Sequence, residues 1–200
     1  MQSIILTGPK HSGKTNAGKA LASIYSCDFI DLDDLILQRT GKTPRQLYIE
    51  SNTSGRCGVS AGSLFKQAEA EAASFLMTAL AGKAVIKSII AAGGGIIDNP
   101  EAMAAIKISG VEMVYLSISA GEAWNRIANS PNGKKPKSEL PPFLQTENPK
   151  ETHRLLHERR ASAYLQIADI VIEAEGKSPE EIARMIQANL ETQSDDNTIR

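Results

Sequence analysis

Eight residues near the start of the chain, Gly8-Pro9-Lys10-His11-Ser12-Gly13-Lys14-Thr15, carry the spacing G-x-x-x-x-G-K-[ST]. Glycines in such a loop let consecutive backbone N–H groups turn inward, where together they bind anionic oxygens. The lysine after the second glycine adds a mobile point charge, and the threonine after it adds a hard oxygen suited to Mg²⁺. The chemistry implied is a grip on a nucleoside triphosphate. Ser12, Gly13, Lys14 and Thr15 meet the phosphates, Lys14 reaches the β- and γ-phosphates, and Thr15 joins the Mg²⁺ shell. Lys10 and His11 complete the nucleotide loop, with no separate chemistry given to the His11 ring.

Two further groups follow. Asp31-Leu32-Asp33-Asp34 stands after the next apolar run, and carboxylates two apart on an extended segment point the same way. One of this pair then suits Mg²⁺, through water, and the other suits acceptance of a proton from a substrate hydroxyl. Asp33 or Asp34 equally fits an N-cap for the helix of Leu35 to Arg39; a cap and a ligand are compatible. Later come Gly93-Gly94-Gly95. Three consecutive glycines are expensive in chain entropy, so they mark a place where something needs bare backbone.

The elements that position these groups are read from apolar runs. Strand-like segments recur at Ser3–Thr7, Phe29–Asp31, Val85–Ala91, Val111–Leu116 and Ile170–Ile172, with helical periodicity between them. The alternation predicts a three-layer α/β fold, a five-stranded parallel sheet with helices on both faces. Ser119 with Glu122, and Ser178 with Pro179 and Glu181, mark helix starts, as does Asn99-Pro100; Gly41 marks a helix end. Residues 51–63 and 130–150 break the pattern, and loops of that length in a compact domain are lids or binding segments. The chain divides into one domain, 1–192, and a polar, frayed tail, 193–200.

Bulk properties exclude several classes. A net charge of −1 gives no general attraction to nucleic acid or to an acidic membrane. Cys27 and Cys57 form no metal-type spacing and are expected as reduced thiols of a cytoplasmic protein. A strand beginning at the third residue leaves no room for a signal peptide, and no apolar run is long enough to span a membrane.

Taken together, GPKHSGKT, FIDLDDLI at Phe29–Ile36, TGKTPRQLY at Thr40–Tyr48, FKQAEAEA at Phe65–Ala72, AAGGGII at Ala91–Ile97 and ERRASAYLQIADIVI at Glu158–Ile172 resemble the shikimate kinase family. The resemblance spans nearly the whole chain and implies a P-loop kinase of the nucleoside monophosphate kinase-like group. Its implied activity is ATP- and Mg²⁺-dependent phosphorylation of the 3-hydroxyl of shikimate, on the route to chorismate and the aromatic amino acids. It implies a monomer, a lid over about 130–150 and a substrate-binding segment over about 33–80. By the same resemblance Asp33 holds the substrate hydroxyls and is the candidate base. Asp31 lies near Mg²⁺, Gly94 and Gly95 offer backbone to the substrate, and Arg160 pairs with its carboxylate. Arg126 and Lys177 fall on the adenine side.

Two departures from the family pattern stand out. The second carboxylate-binding arginine has become Lys66, which keeps the charge and loses the planar fork. The lid motif R-P-L-L corresponds to Pro141-Pro142-Phe143-Leu144, without its arginine, and Lys134, Lys135 and Lys137 just upstream could supply charge to the same place. These departures keep open a kinase for another small hydroxy or sugar acid, such as gluconate. They also keep open a non-catalytic nucleotide-binding homologue, against which the retention of Lys14, Asp31, Asp33 and Arg160 speaks. His153 and His157, four apart, are expected as an exposed helical pair, Trp124 as packing, and Arg159 as solvent-exposed.

Overall fold

The computed structural model describes residues 3–53, 62–81, 88–130 and 133–198. Five parallel strands, β1 (Ile4–Thr7), β2 (Asp28–Asp31), β3 (Ser88–Ala91), β4 (Glu112–Ser117) and, after a small hairpin, β7 (Ile170–Glu173), form one sheet in the order β2-β3-β1-β4-β7. Every pairing is parallel, with Leu6 opposite Ala91 on one side and Val114 on the other.

β1 is apolar at each of Ile4, Ile5 and Leu6 because both faces of the sheet are covered. Its side chains still alternate. Ile4 and Leu6 pack with Leu21 of α1 (Lys14–Tyr25) and with Ile182 and Ile186 of α8 (Pro179–Thr198). Ile5 turns the other way, to join Leu32 and Ile36 of α2 (Leu32–Thr40), Leu76 of α4 (Ser63–Ala81), Ile106 of α5 (Pro100–Ile108) and Tyr164 of α7 (Pro149–Leu165). A satellite cluster of Ile127, Leu140 and Leu144, with Trp124 and Phe143 against it, lies between α6 (Ala120–Ala128) and the lid. Trp124 is packing, as expected.

The strand order does the positioning. The connection from β1 to β2 runs over one face through α1 and that from β3 to β4 over the other through α5, so the two part onto opposite faces between two neighbouring strands. The crevice at their carboxyl ends is where an open α/β sheet binds ligands. The phosphate loop leaves β1 there, and the triple glycine leaves β3 beside it.

Most expected boundaries hold within a residue or two, and the caps are real. Asn99 Oδ1 accepts from Ala102 N, Ser178 and Glu181 form a reciprocal box, and Gly41 ends α2 at φ 69°. Several expectations are corrected. The cap of α2 is Asp31, not Asp33 or Asp34, so Asp33 sits in the first helical turn rather than on an extended segment. At Ser119 only half the box forms: Ser119 Oγ accepts from Glu122 N, while Glu122 pairs with Arg126. The helix α8 runs on through residues 193–198. The 51–63 segment begins as the end of α3 (Pro44–Thr53) and closes as the start of α4; residues 54–61, with Cys57, lie outside the described residues, as does the 82–87 stretch before β3. The lid combines β5 (Asn129–Ser130), β6 (Gly133–Lys134) and two short 3-10 turns, Lys137–Glu139 and Pro142–Leu144. Among the described residues no helix is long and apolar enough to cross a membrane.

Candidate active site

The phosphate loop closes through three left-handed residues, Gly8 (φ 140°), His11 (φ 63°) and Gly13 (φ 96°). A Cβ on Gly8 would lie 2.5 Å from the carbonyl oxygen of Leu116, so only glycine lets the loop leave β1 so close to β4. Lys14 is buried inside the curl. Its Nζ donates to the carbonyls of Gly8 (3.1 Å) and Pro9 (2.8 Å) and to Ser12 Oγ (3.4 Å). Burial pushes the ammonium down to about 8, against the pull of Asp33 and Asp31. Behind it, α1 begins with its free N–H groups facing the loop, a ready anion site.

One hydrogen bond joins this cradle to the acids. Thr15 Oγ1 donates to Asp31 Oδ2 at 2.9 Å, and Asp31 Oδ1 accepts from Asp33 N at 3.0 Å. Asp31 therefore caps α2 and holds the threonine at once. A hydroxyl and a carboxylate are hard oxygen donors suited to Mg²⁺, which takes few protein ligands and completes its shell with water and phosphate. Among the described residues no cluster of three or more His, Cys, Asp or Glu side chains could cage an ion by itself. Asp33 is reachable through the mouth of the cleft yet walled by protein. That desolvation, and then the Asp31 charge, raises its pKa, while Lys10 and Lys14 oppose the rise.

The triple glycine is explained residue by residue. A Cβ on Gly93 would stand 3.0 Å from Glu69 Oε1 and 3.4 Å from Asp33 Oδ1. On Gly94 it would strike the backbone of Lys10, 2.7 Å from its nitrogen, and on Gly95 it would strike Arg160 Nη2 at 2.8 Å. Bare backbone thus lets β3's loop lie against the phosphate loop on one side and under Arg160 on the other.

Arg160 comes to this point from α7. Its Nε and Nη2 meet Asp98 Oδ2 at 2.8 and 2.7 Å, and Nη1 donates to the Gly94 carbonyl at 3.3 Å. Arg159, exposed as expected, also grips Asp98, at 2.8 and 3.0 Å. Partial burial works to raise the Asp98 pKa, but the two guanidinium groups hold it below the usual range. Lys66 lies exposed on α4, its charge within reach of Glu69.

On the nucleotide side, Arg126 Nη1 donates to the His11 carbonyl at 3.0 Å, while its Nε pairs with Glu122 at 2.6 Å. The turn carrying Lys177 docks nearby, since Glu175 Oε2 accepts from Ser119 N at 2.8 Å and feels the Arg126 charge. The His11 ring is held at about 4 by desolvation and by the cations around it, so it stays neutral. Over the crevice, Lys135 is the lid lysine whose charge bears on both Lys10 and His11. Lys134 and Lys137 are exposed.

His153 and His157 do not form the expected exposed pair. They are 5% and 9% exposed, ring against ring at 5.7 Å, with Trp124 at 5.7 Å on the far side of His153. The lid's satellite cluster covers that face of α7, a tertiary fact invisible in helical spacing. Burial lowers both pKa values, that of His153 to about 4.

Three participants escaped the sequence. Glu69 is buried beside Asp33, Asp98 holds Arg160, and Arg45 of α3 donates to the lid carbonyls of Ser138 (3.1 Å) and Leu140 (3.2 Å). Only Glu69 left a trace, as the one acid of F-K-Q-A-E that falls on the apolar side of α4.

Comparisons with known proteins bear on the family and the fold. The family model described as shikimate kinase matches residues 10–191. The chain is 29% identical over 198 residues to a shikimate kinase of Thermodesulfovibrio yellowstonii, covering 99% of this chain and 100% of the relative. It is 31% identical over 189 residues to one of Corynebacterium diphtheriae, covering 94% of each. Among solved structures, a shikimate kinase from Acinetobacter baumannii in complex with shikimate superposes with a TM-score of 0.77 at 23% identity, covering 96% of this chain and 94% of that one.

Proposed function

The chain belongs to the shikimate kinase family, and on that premise we propose that it transfers the γ-phosphoryl group of ATP to the 3-hydroxyl of shikimate, giving 3-phosphoshikimate and ADP. The observation that carries the assignment of residues is the 2.9 Å bond between Thr15 and Asp31, which seats the acids at the mouth of the phosphate cradle.

Asp33 accepts the proton of the 3-hydroxyl as its oxygen bonds to the γ-phosphorus and the bond to the bridging oxygen of ADP breaks. Lys14, held in the cradle, and Lys10 and Lys135 at its rim spread the charge that develops on the transferring group. Thr15 and Asp31 would hold Mg²⁺, which neutralises the β- and γ-phosphate oxygens when bound. Gly94 and Gly95 offer the acceptor bare backbone. Arg160, its Nε edge fixed by Asp98, turns its remaining donors towards the acceptor carboxylate, with Lys66 free to swing in. Arg126 and the Lys177 turn flank the adenine. The lid over 130–150, tied to α3 by Arg45, closes to exclude water that would otherwise hydrolyse ATP. The enzyme acts as a cytoplasmic monomer.

A coupled ADP-release assay across shikimate, quinate and gluconate tests the substrate. Shikimate is expected to give the highest kcat/KM, and Arg160→Ala to raise the shikimate KM about 100-fold with the ATP KM little changed. Preferred turnover of gluconate, or intact shikimate affinity in Arg160→Ala, would overturn the assignment.

A further inference from the structure

Glu69 occupies an unusual position for an acid. It is 1% exposed on the inner face of α4, under the turn of Gly93 to Gly95. Its Oε2 accepts from Asn99 Nδ2 at 2.9 Å, and the same amide donates to the Lys66 carbonyl at 2.8 Å. Its Oε1 has no hydrogen-bond partner among the described residues, and it borders the same spot above Gly93 as Asp33 Oδ1.

The nearby cations are not paired with it. Arg160 gives its Nε edge to Asp98, and Lys66, one turn before Glu69 on α4, is exposed and makes no ion pair with it among the described residues. The other groups facing Glu69 are Asp33 from α2, which repels a second negative charge, and Tyr164 from α7, a neutral phenol. A buried carboxyl without a matching cation keeps its proton. Burial accordingly pushes Glu69 up to about 7; Asn99 and the charges of Arg160 and Lys66 pull the other way, and Asp33 adds to the rise.

We propose that Glu69 binds the acceptor as a neutral carboxyl, its Oε1 proton donated to an acceptor oxygen above Gly93, and that loss of this proton expels the acceptor. The inference rests on the shikimate kinase reading of the site. A neutral carboxyl both donates and accepts, whereas the ionised group only accepts and repels an anionic acceptor. Glu69 is then the residue that makes acceptor binding, and not nucleotide binding, depend on pH near neutrality.

The test is the shikimate KM at saturating ATP between pH 6 and pH 8. If only the neutral form binds, the KM rises about tenfold over that range. Glu69→Gln, which keeps the donor and cannot ionise, should hold the low-pH KM throughout. His11 and His153, at about 4, do not titrate in this window, and the Lys14 titration near 8 is common to both proteins. An unchanged pH profile in Glu69→Gln would refute the proposal. So would a KM raised at every pH, which would mean an ionised Glu69 pairs with Lys66. Carboxyl ¹³C NMR of the wild-type protein gives a second measurement that needs no variant. Shikimate should raise the Glu69 pKa, and a fall overturns the idea. Failure of the kinase reading itself looks different, as no shikimate-dependent ADP release at any pH.

Discussion

Around the phosphate loop, charged groups find partners close by in the chain: Lys14 bonds to the carbonyls of Gly8 and Pro9, and Thr15 reaches Asp31. Across the crevice, partners come from far apart. Arg160 of α7 meets Asp98, Asn99 meets Glu69 of α4, and Arg45 crosses to the lid at Leu140. The phosphate cradle itself is a local device that any sheet of this kind could carry, although Arg126 reaches its His11 carbonyl from far along the chain. The acceptor side exists only once the whole domain has folded, and it retains a buried oxygen with no partner among the described residues. Strong catalytic charge is invested in the first region and discrimination in the second.

The contrast is sharpest at Lys14. Lys14→Met should lower kcat by on the order of 10³ while leaving the shikimate KM nearly unchanged, read by initial rates of ADP release. A large rise in the acceptor KM instead would mean the two regions are not separable. Gly94→Ala breaks the contrast on purpose, because its methyl group would meet the Lys10 backbone where the regions touch. Both KM values should rise, and the strain should cost about 1–3 kcal/mol, seen as a lower Tm. If only the acceptor KM moved, the contact would be slack.

The smallest effect is on stability against pH, and it has opposite signs in two places. His153 folds with its pKa at about 4, below the ordinary 6.5, so its contribution is complete above pH 6.5 and is lost as pH falls towards 4. Glu69 folds with its pKa at about 7, above the ordinary 4.5, so its contribution is complete below pH 4.5 and fades as pH rises through 7. Urea midpoints across this range should flatten on the acid side in His153→Phe and on the alkaline side in Glu69→Gln. Parallel profiles for either variant and the wild type would remove that residue from the account.

The same contrast explains what could be read from the sequence. Eight contiguous residues encode the cradle, and uninterrupted apolar runs betray strands covered on both faces, so the sheet and the nucleotide grip were legible. In Asp31-Leu32-Asp33-Asp34 the expected cap is Asp33 or Asp34, and nothing local decides that Asp31 takes the role. His153 and His157 lie in a highly polar helix sequence, and their burial depends on Trp124 and the lid folding over them. Asp98 lies in no motif, and Arg45 stands in TGKTPRQLY with nothing local to mark its role; their parts follow from partners that the fold brings in from the far end of the chain.

Leu6 and Ala91 are register partners on adjacent strands, and the ladder continues one step further, Ala92 N donating to the Leu6 carbonyl at 3.0 Å. Donor and acceptor beds are therefore mounted at the same height on neighbouring rungs, about 4.8 Å apart as any two strands are. On the proposed reading, the spacing of the two loops is set by main-chain geometry, which no substitution of a side chain resets. Such a scaffold can exchange one small alcohol for another by altering what projects into the gap, with its working clearance left as it was.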